Sequence, residues 1–370
     1  MKKGQMTIQC TFLLVLVMIF SMFYAASVSA ETLRIFSYEV YASAEFQQKF
    51  IKLVKEKYDI DLKLDIKYIN EPDEIFPMLR DGKADIITPS HNLPKDERYQ
   101  LIKHKLALPL NLENIPNYKN VDPGLQKADY CSKGDKVYAV PVARGPYGLA
   151  YNTTILKKAP ESWNIFWEPQ FKDKYSLGEY QYEENIFNAA LAMGFSPKDM
   201  SNYKKLNTPE FQKKLAYLVA NAHGMWKIQD TPKDLKGLPF AMSWGDSLGG
   251  LKEMGEIWKM AEPKEGTTFW VDNVMIGYTL ENKPKLKQIA EEWLNIVLSD
   301  EYQLNVVTRG IGTIPVITTI MEHLTPDEIE RCHLDDPTYF TDNSILWPTL
   351  GKTDRKGLKR LWKKAMKSRK

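Results

Sequence analysis

T-L-R-I-F-S (32–37), L-K-L-D-I-K-Y (62–68) and A-D-I-I-T (84–88) are three short strand-like runs, and the segments between them carry a helical period. After the first run, Ser43 stands where a helix N-cap belongs, and Phe46, Phe50, Leu53 and Val54 follow at the spacing of one helix face. After the second run, residues 74–80 are helical until D-G-K breaks them. Strand–helix–strand–helix–strand implies a parallel, doubly wound sheet, and such sheets hold ligands beyond the carboxyl ends of their strands. Two loops qualify, 38–41 after the first strand and 90–92 after the third.

Further along, V-Y-A-V-P-V-A-R-G-P-Y-G-L-A-Y-N (137–152) holds two apolar runs split by R-G-P and reads as a long connection leaving a first lobe. Residues 164–175 are aromatic-rich and turn-like, and 184–193 form a helix ended by Gly194. The segment 208–221 is an amphipathic helix with Thr208 and Pro209 at N-cap and N1. Residues 240–244 read as a strand, after which G-D-S-L-G-G starts a helix. Residues 284–299 are amphipathic, and 352–370 form a basic helix with Leu358, Leu361, Trp362 and Met366 as its apolar stripe. The fold class is therefore α/β, with a doubly wound first lobe and a long connection out of it. The lysines of the last helix either face solvent or meet anionic lipid or an acidic partner.

The chain starts M-K-K, runs apolar from about 11 to 26 and reaches V-S-A before Glu31, which reads as a secretory leader over 1–30. Removing Lys2 and Lys3 with it takes the formal charge from +3 to +1, which argues against nucleic acid as a partner. No C-x-x-C pair and no Cys/His spacing for zinc occurs, so neither a metal nor a cofactor is expected. Beyond the leader only Cys131 and Cys332 remain, as a disulfide or as two buried thiols.

The chemically distinctive segment is E-P-K-E-G-T-T-F-W-V-D (262–272). Its β-branched and aromatic end has strand character, and strand alternation puts Trp270 and Asp272 on one face. A carboxylate beside an indole suits an organic cation, through a charge-assisted hydrogen bond and a cation–π contact of roughly 0.5–2 kcal/mol.

Together these features resemble the bacterial periplasmic spermidine/putrescine-binding family. The likeness is carried by the aromatic-acid-aromatic first loop, the P-S-x-x loop, A-M-S-W-G-D-S and E-P-K-E-G-x-x-F-W-x-D. The resemblance implies a type II periplasmic binding fold, two doubly wound α/β lobes joined by a hinge, with residues 31–143 and 272–313 as lobe 1 and 144–271 and 314–370 as lobe 2. It implies a linear polyamine in the cleft, held by Tyr38, Glu39, Tyr41, Ser90, Asn92, Trp244, Trp270 and Asp272. The family also has two carboxylates before the second lobe's helix; the matching positions here are Tyr182 and Asn185, a departure. Glu183 and Glu184 are adjacent, but about 100° per residue turns them off that face.

The expected protein is a periplasmic, monomeric polyamine-binding protein that delivers its ligand to an inner-membrane ABC permease. In the alternative it reports to a membrane-bound sensor. Other readings on the same fold are a binder of another small cation, such as ferric ion or a thiamin-like molecule, and a thiaminase-like enzyme using Cys131. No catalytic residue is assigned, because H-E-x-x-H and phosphate-loop patterns are missing from the sequence.

Overall fold

The computed structural model describes residues 30–69, 71–336, 339–342 and 344–369. The expected leader therefore lies, but for Ala30, outside the described residues.

Strand β1 (Ala30–Ser37) pairs in parallel with β2 (Asp61–Tyr68) and with β3 (Ile86–Ile87), as the winding expected from 32–88 requires. Helix α1 (Ala44–Tyr58) crosses between β1 and β2 and buries Phe46, Phe50 and Val54. Ser43 is its N-cap residue, but the hydroxyl makes no capping bond and instead borders the cleft.

β4 (Ala139–Asn152) corrects the reading of R-G-P as a break: fourteen residues form one strand, almost wholly buried. β5 (Tyr175–Gly178), β6 (Gly224–Trp226) and β7 (Phe240–Ser243) form the second lobe's sheet, and helices α2 (Tyr182–Ala192) and α3 (Pro209–Ala220) pack on it. Thr208 caps α3 by accepting from the Phe211 N–H at 3.2 Å. β8 (Thr267–Ile276) has all ten residues buried. The chain ends with α4 (Pro284–Val297) on the first lobe and α5 (Lys352–Met366) on the second.

The sheet order is β2-β1-β3-β8-β4-β7-β5-β6, one hydrogen-bonded network of ten strands with Trp258–Met260 and Ser344–Leu346 at its sides. β4 and β8 are antiparallel and carry both lobes, so they form the hinge. Strands buried on both faces read as continuous apolar runs, which is why 137–152 lacks alternation. The core divides accordingly. One cluster gathers Leu33, Phe46, Val140, Val274 and Trp293, and the other gathers Tyr147, Phe187, Leu215, Phe240 and Trp362. We propose the lobe boundaries at 143/144 and 271/272 on these shared strands. Val316, Ile317 and Ile320 pack in the first core although they lie past 313/314, in the stretch expected to belong to lobe 2, so the first lobe extends beyond that boundary.

The β4–β8 register shifts between Asp272 and Asn273, where Ala143 faces Asp272 and Pro141 faces Asn273. Val142 is the extra residue of this bulge, and its carbonyl accepts from Gln303 Nε2 at 2.9 Å. Two residues on, Gly145 lies opposite Trp270 in the ladder. A Cβ there would come within 2.8 Å of Trp270 Cζ2 and 2.9 Å of Thr313 Oγ1. R-G-P is thus a glycine that admits an indole rather than a turn. Gly145→Ala is expected to displace Trp270 and destabilise the fold by about 1–3 kcal/mol in urea unfolding; unchanged stability would show that the ring moves freely.

Candidate binding site

Asp272 sits at the bulge, 8% exposed, where the three wound elements of the first lobe converge. Tyr41, from the one-turn helix Glu39–Tyr41 after β1, donates to Asp272 Oδ2 at 2.9 Å. Ser90, from the loop after β3, donates to Oδ1. Both loops at the strand ends therefore reach one carboxylate, as the winding rule anticipates. Neither donor is a cation, and burial pushes the Asp272 carboxyl up to about 6. Tyr38 stands edge-on to Tyr41 at 6.3 Å. Burial and the Asp272 charge raise both phenols, so both stay protonated as donors.

His91 fixes the register behind this carboxylate. Its backbone N–H donates to the Val271 carbonyl at 2.8 Å, while its Nδ1 accepts from the Val271 N–H at 3.2 Å. Nε2 must therefore carry the ring proton, which it donates to the Trp347 carbonyl at 3.0 Å. Burial pushes this imidazole down to about 4, consistent with a neutral ring.

Across the seam, Trp244 packs against both lobe cores. Its ring lies 6.5 Å from Trp270, 5.9 Å from Trp347 and 4.7 Å from Tyr147. Buried Asp230 sets the loop that carries it, accepting from the Trp244 N–H at 3.0 Å and from the hydroxyls of Ser243 (2.8 Å) and Ser247 (2.5 Å).

That loop also presents Asp246. Gln229 donates to its Oδ2 at 2.6 Å, while Oδ1 is buried without a partner. Burial, then the nearby Asp230 charge, pushes Asp246 up to about 7. Asp246 borders a cleft opening of about 430 Å³ together with Val40 and Ser43 of the first lobe and Asn305 and Ile311 of the helical segment Gln303–Ile311. Both Asp246 and Asp272 act electrostatically on Tyr41. At the start of α2, burial and the Glu183 charge push Glu184 up to about 8. Among the described residues none of these three acids has an ion-pair partner, whereas neighbouring Glu183 is met by Arg355 at 3.3 Å.

The structure thus brings Tyr38, Tyr41, Ser90, Trp244, Trp270 and Asp272 to one seam. Glu39 is exposed in the turn that carries Tyr41, next to Val40 on the cleft rim. Asn92 is half-buried, and its carbonyl accepts from Thr349 Oγ1 at 3.4 Å. Two residues differ from expectation. Asn185 is completely buried, accepts from the Tyr147 hydroxyl at 2.9 Å and donates to the Gly178 carbonyl at 2.7 Å, so its amide is consumed inside the second lobe. The Tyr182 hydroxyl is turned to Glu183 Oε1 at 2.6 Å. Asp246, Glu184 and Trp347 are the residues sequence reasoning missed. Two signals were available: the acid two positions after Trp244, read there as the start of a helix, and Glu184, set aside because the helix turns it off the expected face.

Trp347 belongs to a third crossing between the lobes. Ser344–Leu346 pairs with the start of β8, and Trp347 then packs on both cores. Arg355 of α5 donates to Asp96 in the first lobe and Glu183 in the second. This strap clasps the lobes beside the acids.

Cys131 and Cys332 are free and buried, so they do not form a disulfide. Burial pushes the Cys131 thiol up to about 11, the reverse of an activated nucleophile. Among the described residues no group of acids, histidines and cysteines is placed to hold a metal.

Two α/β lobes sharing hinge strands, with polar and aromatic groups converging on the seam, define a solute-binding protein of the type II periplasmic kind. Residues 81–335 match the model described as bacterial extracellular solute-binding protein, and the chain belongs to that family, whose members bind solutes and are not enzymes. The chain is 26% identical over 268 residues to spermidine/putrescine-binding periplasmic protein 1 of Haemophilus influenzae, covering 72% of this chain and 69% of that one. It is 26% identical over 215 residues to the spermidine/putrescine-binding periplasmic protein of Salmonella typhimurium, covering 55% of this chain and just over half, 56%, of that one. A putative spermidine/putrescine ABC transporter from Listeria monocytogenes shares the fold, with a TM-score of 0.72 at 18% identity over 90% of this chain and 98% of that one.

The unpaired acids fix a pH dependence. Their folded-state values lie above the ordinary carboxylate range near 4. The ligand-free fold therefore binds more protons than the unfolded chain, and that part of its stability is lost as pH rises through about 6 to 8. The melting temperature of the ligand-free protein is expected to fall between pH 5 and 8.5. Buried His91 opposes this trend only up to about pH 6.5, so a flat or rising curve between about pH 6.5 and 8.5 in differential scanning calorimetry would mean that the acids already have cationic partners.

Proposed function

We propose that the chain is the polyamine-binding component of an ABC importer, exported by its leader to the periplasm and delivering a linear di- or triamine to a membrane permease. The observation that carries this reading is the pair of acids, buried Asp272 and half-buried Asp246 with its enclosed Oδ1, which among the described residues lack an ion-pair partner and both act on Tyr41 in a seam walled by indoles. An uncompensated charge costs several kcal/mol to bury, and an ammonium group offsets that cost at each end. Methylene spacers between the two ammonium groups suit the faces of Trp244 and Trp270, where a cation over the ring adds roughly 0.5–2 kcal/mol. Tyr38, Tyr41 and Ser90 keep Asp272 oriented, and Glu39 faces the incoming ligand at the rim. The names of the Haemophilus and Salmonella relatives support the same ligand class.

Putrescine, spermidine, amino acids and sugars should be compared by thermal shift and calorimetry on residues 31–370. A di- or triamine should raise the melting temperature by mass action, and sugars should not. Asp272→Asn should cost more than about 2 kcal/mol of amine affinity, and Asp246→Asn about 1–2, with the fold intact. Amine affinity should also gain on the order of ten- to hundredfold from pH 5.5 to 8 as the two carboxylates ionise. Stabilisation by a sugar or a neutral amino acid alone, or full amine affinity in Asp272→Asn, would remove the reading.

A further inference from the structure

Helix α5 has one face in the protein and one outside. Gly357, Leu358, Leu361, Trp362 and Ala365 are buried on the second lobe. Gly357 lies so close to the Tyr203 ring that a Cβ would meet it at 2.1 Å. Trp362 Nε1 donates to the Glu179 carbonyl at 3.0 Å, and Arg369 Nη1 to the Ala222 carbonyl at 3.0 Å, so the helix is pinned along its length. Its single acid, Asp354, is turned inward and accepts from the Tyr203 N–H at 2.9 Å.

The outer face carries Lys352, Lys356, Lys359, Arg360, Lys363, Lys364 and Lys367, all exposed. Among the described residues no carboxylate lies within salt-bridge distance of any of their side-chain cations; Lys364 donates to Gln212 Oε1 at 2.6 Å, and the Lys352 backbone N–H meets Glu97. Lys213 and Lys214 of α3 and Lys285 of α4 likewise meet no carboxylate, but no other helix of the described residues gathers so many such cations on one face, and α1 and α4 together pair most of theirs. Lys49 and Lys55 of α1 each meet two acids, Lys57 meets Glu292, and Lys287 of α4 meets Glu291. The unpaired stripe runs roughly 20–25 Å, at 1.5 Å per residue. At its start a recess of about 560 Å³ is lined by Lys352, Lys356 and Glu97 together with Arg98 and Arg355, whose charges are already met by Asp73, Asp96 and Glu183.

From this face we infer that α5 is a docking surface for an anionic phospholipid bilayer. A row of lysines on flexible stems suits a diffuse polyanion, whereas protein interfaces are depleted in lysine and rely on aromatic anchors. None of the large exposed apolar side chains of the described residues lies on α5, so the face holds no group that inserts between acyl chains or fills a partner's pocket. The contact is therefore peripheral and electrostatic, acting within a Debye length of the charged headgroups. It would keep the binding protein on the membrane that carries its permease while leaving the cleft free. The surface is separate from the cleft and does not depend on which ligand the cleft takes.

Flotation of the chain 31–370 with vesicles tests this. Vesicles of phosphatidylethanolamine and phosphatidylglycerol should carry the protein at low salt and release it as salt rises from roughly 0.05 to 0.5 M, while phosphatidylcholine vesicles should not carry it. The triple variant K356E/K359E/K363E should lose at least about tenfold in partitioning, with its melting temperature and cleft binding unchanged. K52E/K103E, which alters lysines away from α5, should partition as the unaltered chain does. Equal binding to phosphatidylcholine, no binding at low salt, or full binding by the triple variant would overturn the inference. Capture by an acidic polypeptide such as polyglutamate without vesicle binding would overturn it in favour of a protein partner.

Discussion

The structure turns on one carboxylate that is buried before anything positive reaches it. Asp272 is held by the hydroxyls of Tyr41 and Ser90, two donors that fix its direction without neutralising it. A buried charge satisfied only by neutral donors remains costly, and its raised proton affinity expresses that cost. The groups that hold it come from a loop after β1, a loop after β3 and the bulge of β8, so wound sheet and hinge must both form before the acid has its place.

The hinge and the site share the same residues for a physical reason. β4 and β8 are the only long strands common to both lobes' cores among the described residues, and their bulge puts Asp272 where the lobes meet. Gly145 gives Trp270 its room, while Gln303 accepts from the Val316 N–H at 3.0 Å and donates to the bulged Val142 carbonyl. Opening the lobes would separate Trp244 and Asp246 from Trp270 and Asp272. A dication joining both acids would draw the lobes together. The strap through Trp347 and Arg355 limits how far they part.

The first lobe was legible in the sequence because its signals are local: alternation over 62–68, a helical face at Phe46 and Phe50, and loops at strand ends. Trp270 and Asp272 were legible because strand alternation alone puts them on one face. R-G-P misled because Gly145 serves a ring distant in sequence, and no local pattern records that. The family's acidic positions carried over to Tyr182 and Asn185 only in register; the buried amide of Asn185 is spent on Tyr147 and Gly178, a tertiary fact. Asp246 was hidden for the opposite reason, since G-D-S before an apolar run looks like ordinary helix-start chemistry. Trp347 lies in a segment without period, so nothing short of the packed structure shows it bridging the lobes.

The most direct measurement is a crystal structure of the chain with spermidine or putrescine bound. An ammonium nitrogen is expected within hydrogen-bond distance, about 3 Å, of the Asp272 carboxylate, with the methylene chain lying between the Trp244 and Trp270 rings. An amine bound elsewhere, with Asp272 still holding Tyr41 and Ser90 alone, would contradict the role given to that carboxylate.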